Sequence, residues 1–180
     1  MSREDYTRVT SILEPYGPDF SQVRDIDFYA DRGSRVHYVC SMIARGLFAP
    51  VDKDIRGYVD SFNRFFDTVD KVLLIEERLY SDKWMVSGQP DLVCTLKYDP
   101  RIIIPDYKSA LAYHRVWDVQ ISGYKVLYEE NYPGQEVKRW GSLRLRKDGS
   151  VPKFRDADPG GVLAFYGAVN IHHFMHKIAA

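Results

Sequence analysis

Residues 101–124 read RIIIPDYKSALAYHRVWDVQISGY. Ile102, Ile103 and Ile104 make a run apolar enough for a buried strand, yet it leads almost directly into Asp106-Tyr107-Lys108. An acid and an amine in a core are costly unless they are paired, hydrogen-bonded or bound to a metal. Strand residues two apart share a face, so Asp106 and Lys108 point the same way as Ile102 and Ile104. They form either a structural ion pair or a catalytic pair.

The preceding segments supply partners. Val72 to Tyr80 alternates with Leu73, Ile75 and Leu79 on one face, Lys83 to Leu96 continues as strand, and Tyr98-Asp99-Pro100 turns the chain into Arg101 to Lys108. Such a hairpin brings Asp91, in Ser87-Gly88-Gln89-Pro90-Asp91, close to Asp106. Two carboxylates converging beside a lysine repel each other and are penalised by desolvation, so they make a poor core motif. They make a good site for a hard divalent cation, which takes oxygen ligands. Glu77 falls on the face of Ile75 and Leu79, whereas Glu76 is in phase with Arg78; an inward Glu77 reads as a third acidic ligand or as the partner of a core cation.

Helical spacing predicts helices over Asp5 to Glu14, Asp27 to Gly46 and Asp54 to Val69. The second buries Phe28, Val36, Val39, Met42 and Ile43, and the third Ile55, Tyr58, Val59, Phe62, Phe65 and Phe66. A fourth helix runs from Val116 to Glu130 and ends near Pro133-Gly134. A hairpin follows, Val137 to Arg146 and Ser150 to Arg155 about Asp148-Gly149, and Asp158-Pro159 opens a last helix to Ile178. This order predicts an α+β or mixed α/β layer protein with one central sheet, as a single domain over residues 1–180.

Composition narrows the function classes. Of 180 residues, 45% are hydrophobic and 28% charged, and 25 acids balance 25 bases, so no global field points to a polyanion and any nucleic-acid contact must come from a local patch. Cys40 and Cys94 are the only cysteines, too few for a disulfide framework, an iron-sulfur cluster or a four-cysteine zinc site. No stretch approaches the ~18 apolar residues of a membrane span, and the N-terminus has no apolar signal core, so the expected location is cytoplasmic.

Pro90-Asp91, then fourteen residues, then Asp106-Tyr107-Lys108 resembles the PD-(D/E)xK nuclease signature. The rest of the chain resembles the RecB-type exonuclease branch, which includes the CRISPR-associated adaptation nucleases and phage exonucleases. Gly33-Ser34-Arg35-Val36-His37 matches the branch's Gly-x-x-x-His helix, and Gln120 and Tyr124 match its helix with Gln and Tyr one turn apart. Val9 to Leu13 and the Leu143 to Gly149 hairpin are similar as well. Two departures stand out: the iron-sulfur cysteines of the adaptation nucleases are missing, and Pro105 occupies a position that is more often aliphatic. A proline there implies a bulge or an edge position.

The resemblance implies a restriction-endonuclease-like central mixed sheet flanked by helices, and a metal-dependent DNA exonuclease of phage or bacterial recombination and repair, acting in the host cytoplasm. Asp91 and Asp106 would bind Mg²⁺ or Mn²⁺ with the backbone carbonyl of Tyr107, and His37 would add a nitrogen that favours Mn²⁺. The cation would activate water and neutralise phosphate charge. Lys108 would orient that water or stabilise developing charge, with a base role left open, and Gln120 and Tyr124 would line the site. An endonuclease on the same site, or an inactive nucleic-acid-binding module of the same fold, are the alternatives. DNA, linear or with single-stranded ends, is the expected partner, with a homo-oligomer or a recombination protein as further candidates and no membrane.

For DNA contacts, Lys138, Arg139, Arg144, Arg146, Lys147, Lys153 and Arg155 gather in the late hairpin near Trp140 and read either as a phosphate-binding patch or as a solvated hairpin. His114 and Arg115 could touch a phosphate or be plain surface. His172, His173 and His176 read as a polar helix face.

Overall fold

A computed structural model describes residues 5–19, 25–110 and 112–176. It is a mixed α/β fold with two sheets. The larger has the strand order β2-β5-β6-β7-β8, made of Val69–Ile75 (β2), Leu92–Leu96 (β5), Asp99–Lys108 (β6), Val137–Arg144 (β7) and Lys153–Asp156 (β8). The smaller has the order β1-β4-β3, made of Thr7–Arg8 (β1), Leu79–Ser81 (β3) and Val86–Gly88 (β4). The helices are Val9–Leu13 (α1), Ile26–Ala44 (α2), Arg56–Phe66 (α3), Val116–Asn131 (α4) and Gly161–His176 (α5). The expected end of the last helix at Ile178 lies outside the described residues.

The centre of the larger sheet is buried on both faces. One face packs Leu92, Cys94, Ile103 and Tyr107 against Val36, Val39 and Cys40 of α2 and Tyr58, Val59 and Phe62 of α3. The other packs Val93 and Ile104 against Ile121, Tyr124 and Leu127 of α4, with α1, α5 and the small sheet behind. Every residue of β5 is buried, so its sequence, apolar but for Thr95, shows no alternation to read. β2, β5 and β6 are antiparallel, whereas β6 and β7 are parallel and joined through α4.

Several expectations change. The N-terminal helix is only α1, preceded by β1 and followed by a 3₁₀ turn at Glu14–Tyr16. Phe28 is exposed, because the first turns of α2 lie beyond the core. The single strand expected from Val72 to Tyr80 is two strands in different sheets, and so is the one from Lys83 to Leu96. The break follows a register shift between Val72 and Leu74, which turns Leu74 inward and leaves Leu73 exposed. At Glu76 the backbone adopts φ 45°, unusual for a residue with a side chain, and its N–H donates to the Asp91 carbonyl at 3.2 Å.

Pro105 sits in neither a bulge nor an edge strand. Lys108 O accepts from Leu145 N at 2.9 Å, so Ile104, Asp106 and Lys108 turn their amides toward β7 and the alternate residues turn theirs toward β5. Pairing of β5 with β6 ends at Cys94 and Ile103, so the missing Pro105 donor faces a place where the two strands have already parted.

Candidate active site

The parting of β5 and β6 is where the sequence-predicted residues gather. The Tyr107 N–H, which has lost a strand partner, donates to Asp91 Oδ2 at 2.6 Å. From the α2 side, His37 places Nδ1 3.0 Å from Asp91 Oδ1 and Nε2 3.0 Å from the Tyr107 carbonyl oxygen. His37, Asp91 and the two backbone groups of Tyr107 thus form one closed hydrogen-bonded ring. A methyl added at Gly33, one helical turn earlier, would meet only Ser109 Oγ at 3.9 Å, so packing does not demand glycine there.

Asp106 and Lys108 project from the opposite face of β6, toward α4. Lys108 Nζ lies 2.6 Å from Asp106 Oδ2, 3.5 Å from Gln120 Oε1 and 5.1 Å from the Trp117 ring centroid. Gln120 Nε2 donates to Tyr124 OH at 2.8 Å, the one-turn spacing setting both on one face of α4. Tyr124 approaches this closely because β4 has Gly88 opposite it. A Cβ there would stand 2.6 Å from Leu127 and 2.9 Å from Tyr124.

Glu77 is exposed, and Glu76 takes the inward position instead. Donor atoms of His37, Glu76 and Asp91 all lie within 4.8 Å of one another, a spacing that suits one cation. Arg45 holds Glu76 there, with a guanidinium nitrogen 3.6 Å from its carboxylate and another donating to the Ile75 carbonyl at 3.0 Å. The strand pattern hid Glu76 because a side-chain-bearing residue in the left-handed region carries no sequence mark. Asp106 lies outside this three-residue group.

Burial alone would depress the His37 imidazole, but the Asp91 carboxylate outweighs it and raises His37 to about 9. Burial likewise pushes Asp91 upward, yet His37, the Tyr107 N–H and Lys108 hold it below its ordinary value. Asp106 goes the other way: burial and the like charge of Asp91 raise it despite Lys108. Adjacent carboxylates driven in opposite directions are a feature of catalytic sites.

The basic hairpin divides. Arg144 lies beside Lys108, with Lys153 and Arg155 next to it. Arg146 and Lys147 sit instead on the loop packed against α3, where Arg146 N donates to Ser61 Oγ at 3.0 Å and Arg64 donates to Gly149 O at 2.8 Å. Trp140 donates to Ser122 Oγ at 3.0 Å and packs on α4. His114 and Arg115 line a separate apolar cavity of about 590 Å³ between α4 and α5, where Arg115 pairs with Asp158 at 3.2 Å. His172 and His176 stack on each other along α5, away from these residues.

Among the described residues, no helix is long and apolar enough to cross a membrane. No protein-family model matches the chain, and no curated protein matches it by sequence. Among solved structures, the fold is similar to that of a candidate exonuclease from Eubacterium rectale. The match has a TM-score of 0.55 and covers 99% of this chain and 85% of that chain at 9% identity. At that identity the likeness is one of fold.

Proposed function

We propose that the chain is a divalent-metal-dependent deoxyribonuclease of the PD-(D/E)xK type, acting as an exonuclease. The observation that carries this reading is the grouping of His37, Glu76 and Asp91 donors within 4.8 Å where β5 and β6 part, with the Asp106–Lys108 pair at the end of β6. Two carboxylates and the imidazole, once His37 gives up a proton, fit Mg²⁺ or Mn²⁺, the nitrogen leaning toward Mn²⁺. A cation held there supplies Lewis acidity to a phosphate oxygen and to water.

The remaining chemistry belongs to the chain. Lys108, fixed by Asp106 and the face of Trp117, presents an ammonium to the phosphate and stabilises charge as water adds to phosphorus and the ester P–O bond breaks. Gln120, held by Tyr124, fixes the Lys108 ammonium from the α4 side. Asp106, itself raised by burial, is the carboxylate that keeps this ammonium in place, 2.6 Å away. The products are a 5′-phosphate and a 3′-hydroxyl.

The test is incubation of linear and circular DNA with Mg²⁺ or Mn²⁺, comparing wild type with Asp106→Asn and Glu76→Gln. Degradation of linear DNA alone, lost in both variants, is expected. Cleavage of circular DNA would make the enzyme an endonuclease, and no cleavage with either metal would overturn the proposal.

A further inference from the structure

Beside Lys108 the surface opens into a pocket of about 370 Å³. Its floor is the α4-facing side of β6, β7 and β8, where the strand registers align Asp106 with Ser142 and Arg155, and Lys108 with Arg144 and Lys153. In-register neighbours share a face, so the second row sets three cations across three strands spaced ~4.8 Å apart. The opposite wall is aromatic, with Trp117 from α4 and Tyr113 ahead of it edge to face at 5.9 Å. The Arg155 guanidinium lies 3.7 Å from the Tyr113 ring centroid, and the Tyr113 hydroxyl is fixed by Asp118.

Two features show that this surface is incomplete by itself. The acid lining the pocket, Asp156, is taken by Arg139 at 2.9 Å, which leaves Arg144, Lys153 and Arg155 without a carboxylate partner among the described residues. The Ser142 hydroxyl is buried in the floor with no hydrogen-bond partner among those residues. A buried hydroxyl without a partner is costly, and it calls for a water, an ion or a ligand group to complete it.

Guanidinium and ammonium groups without a carboxylate call for phosphate, and an aromatic wall beside them calls for a flat ring. A simple anion would leave the wall unused, and an apolar ligand would leave the cations unused. A base inside a duplex has both faces stacked and has none to offer Trp117. We propose that this pocket binds one unpaired nucleotide of a DNA strand, its base against Trp117 and its phosphate at Arg144, Lys153 and Arg155. This rests on the nuclease reading only for the phosphodiester presented next door at Lys108.

Binding is measured without turnover, by fluorescence anisotropy of a labelled single-stranded 12-mer and a blunt duplex in EDTA across a salt series. Lys153→Gln and Arg155→Gln alter exposed side chains and serve as folding-neutral variants. Each is expected to weaken single-strand binding several-fold and to reduce the slope of log affinity against log salt by about 0.7. Trp117→Ala is expected to weaken the single strand about tenfold, leaving the salt slope and duplex binding unchanged. The proposal is overturned if wild type does not bind the 12-mer, if the cation variants bind it as wild type does, or if Trp117→Ala weakens both DNAs equally. Pocket variants that lose binding in a chain that cleaves with neither metal would sink the nuclease reading and keep the pocket. Cleavage by wild type and pocket variants alike would do the reverse.

Discussion

The protonated His37–Asp91 pair makes the metal-free protein lose stability as pH rises. His37 moves from 6.5 to about 9 on folding, and each pKa unit is worth about 1.4 kcal/mol, which gives roughly 3 kcal/mol. With 31% of the imidazole side chain exposed, solvent screening reduces this to about 2 kcal/mol. Because the folded-state value is the higher one, the contribution is complete below about pH 6.5 and disappears as pH passes through about 9. For a chain of 180 residues, 2 kcal/mol corresponds to roughly 4–8 °C in Tm. Thermal melts in EDTA at pH 6, 7.5, 9 and 10 should show that decline in wild type and a flatter profile in His37→Asn. Parallel profiles for the two proteins would refute the assignment of the proton to this pair.

Three further outcomes separate the parts of the site. Glu76→Gln should abolish the rise in Tm caused by Mn²⁺ while Glu77→Gln preserves it, since only Glu76 stands with His37 and Asp91; equal behaviour in a thermal-shift titration would exclude Glu76 as a donor. Lys108→Met leaves Asp106 buried without its cation and should cost about 3 kcal/mol in urea denaturation, most of it recovered in Asp106→Asn/Lys108→Met. Gly88→Ala would push a methyl into Leu127 and Tyr124 and should cost about 1–3 kcal/mol, read as a lower urea midpoint with unchanged m-value.

What was legible in the sequence follows from what the physics leaves local. Asp106 and Lys108 share a face because the register of β6 with β7 is unbroken from Ile103 onward, and strand alternation then holds without further information. Gln120 and Tyr124 were equally legible, since helical spacing needs nothing but the helix. Alternation points to Glu77 in place of Glu76 because a register shift and a left-handed residue intervene, and either one reverses the face. The two sheets were hidden for a related reason: the chain leaves the large sheet at Glu76 and re-enters it at Leu92 without a proline or glycine at the exit. In the basic hairpin, charge alone could not separate Arg146 and Lys147 from Lys153 and Arg155. That separation is set by an eight-residue connection, 145–152, and by which residues face Lys108 across β7 and β8.

Pro105 and Asp91 belong to one structural solution. Once β5 and β6 part beyond Ile103, a residue at 105 needs no donor, while Tyr107 still has an N–H and a carbonyl directed into the gap. Asp91 takes the N–H and His37 the carbonyl, so the side chains at the heart of the candidate site also close an opened sheet. Asp91→Ala would therefore leave a buried amide and an imidazolium without partners, costing about 3–5 kcal/mol, the range seen when one member of a buried ion pair is removed. Asp91→Asn keeps an acceptor for the Tyr107 amide and should cost about 1–2 kcal/mol, leaving a folded protein on which loss of Mn²⁺ binding can be read. Equal urea midpoints for the two variants would show that the Tyr107 amide finds another partner when the Asp91 carboxylate is gone, and that the ring of His37, Asp91 and Tyr107 does not hold the strands apart.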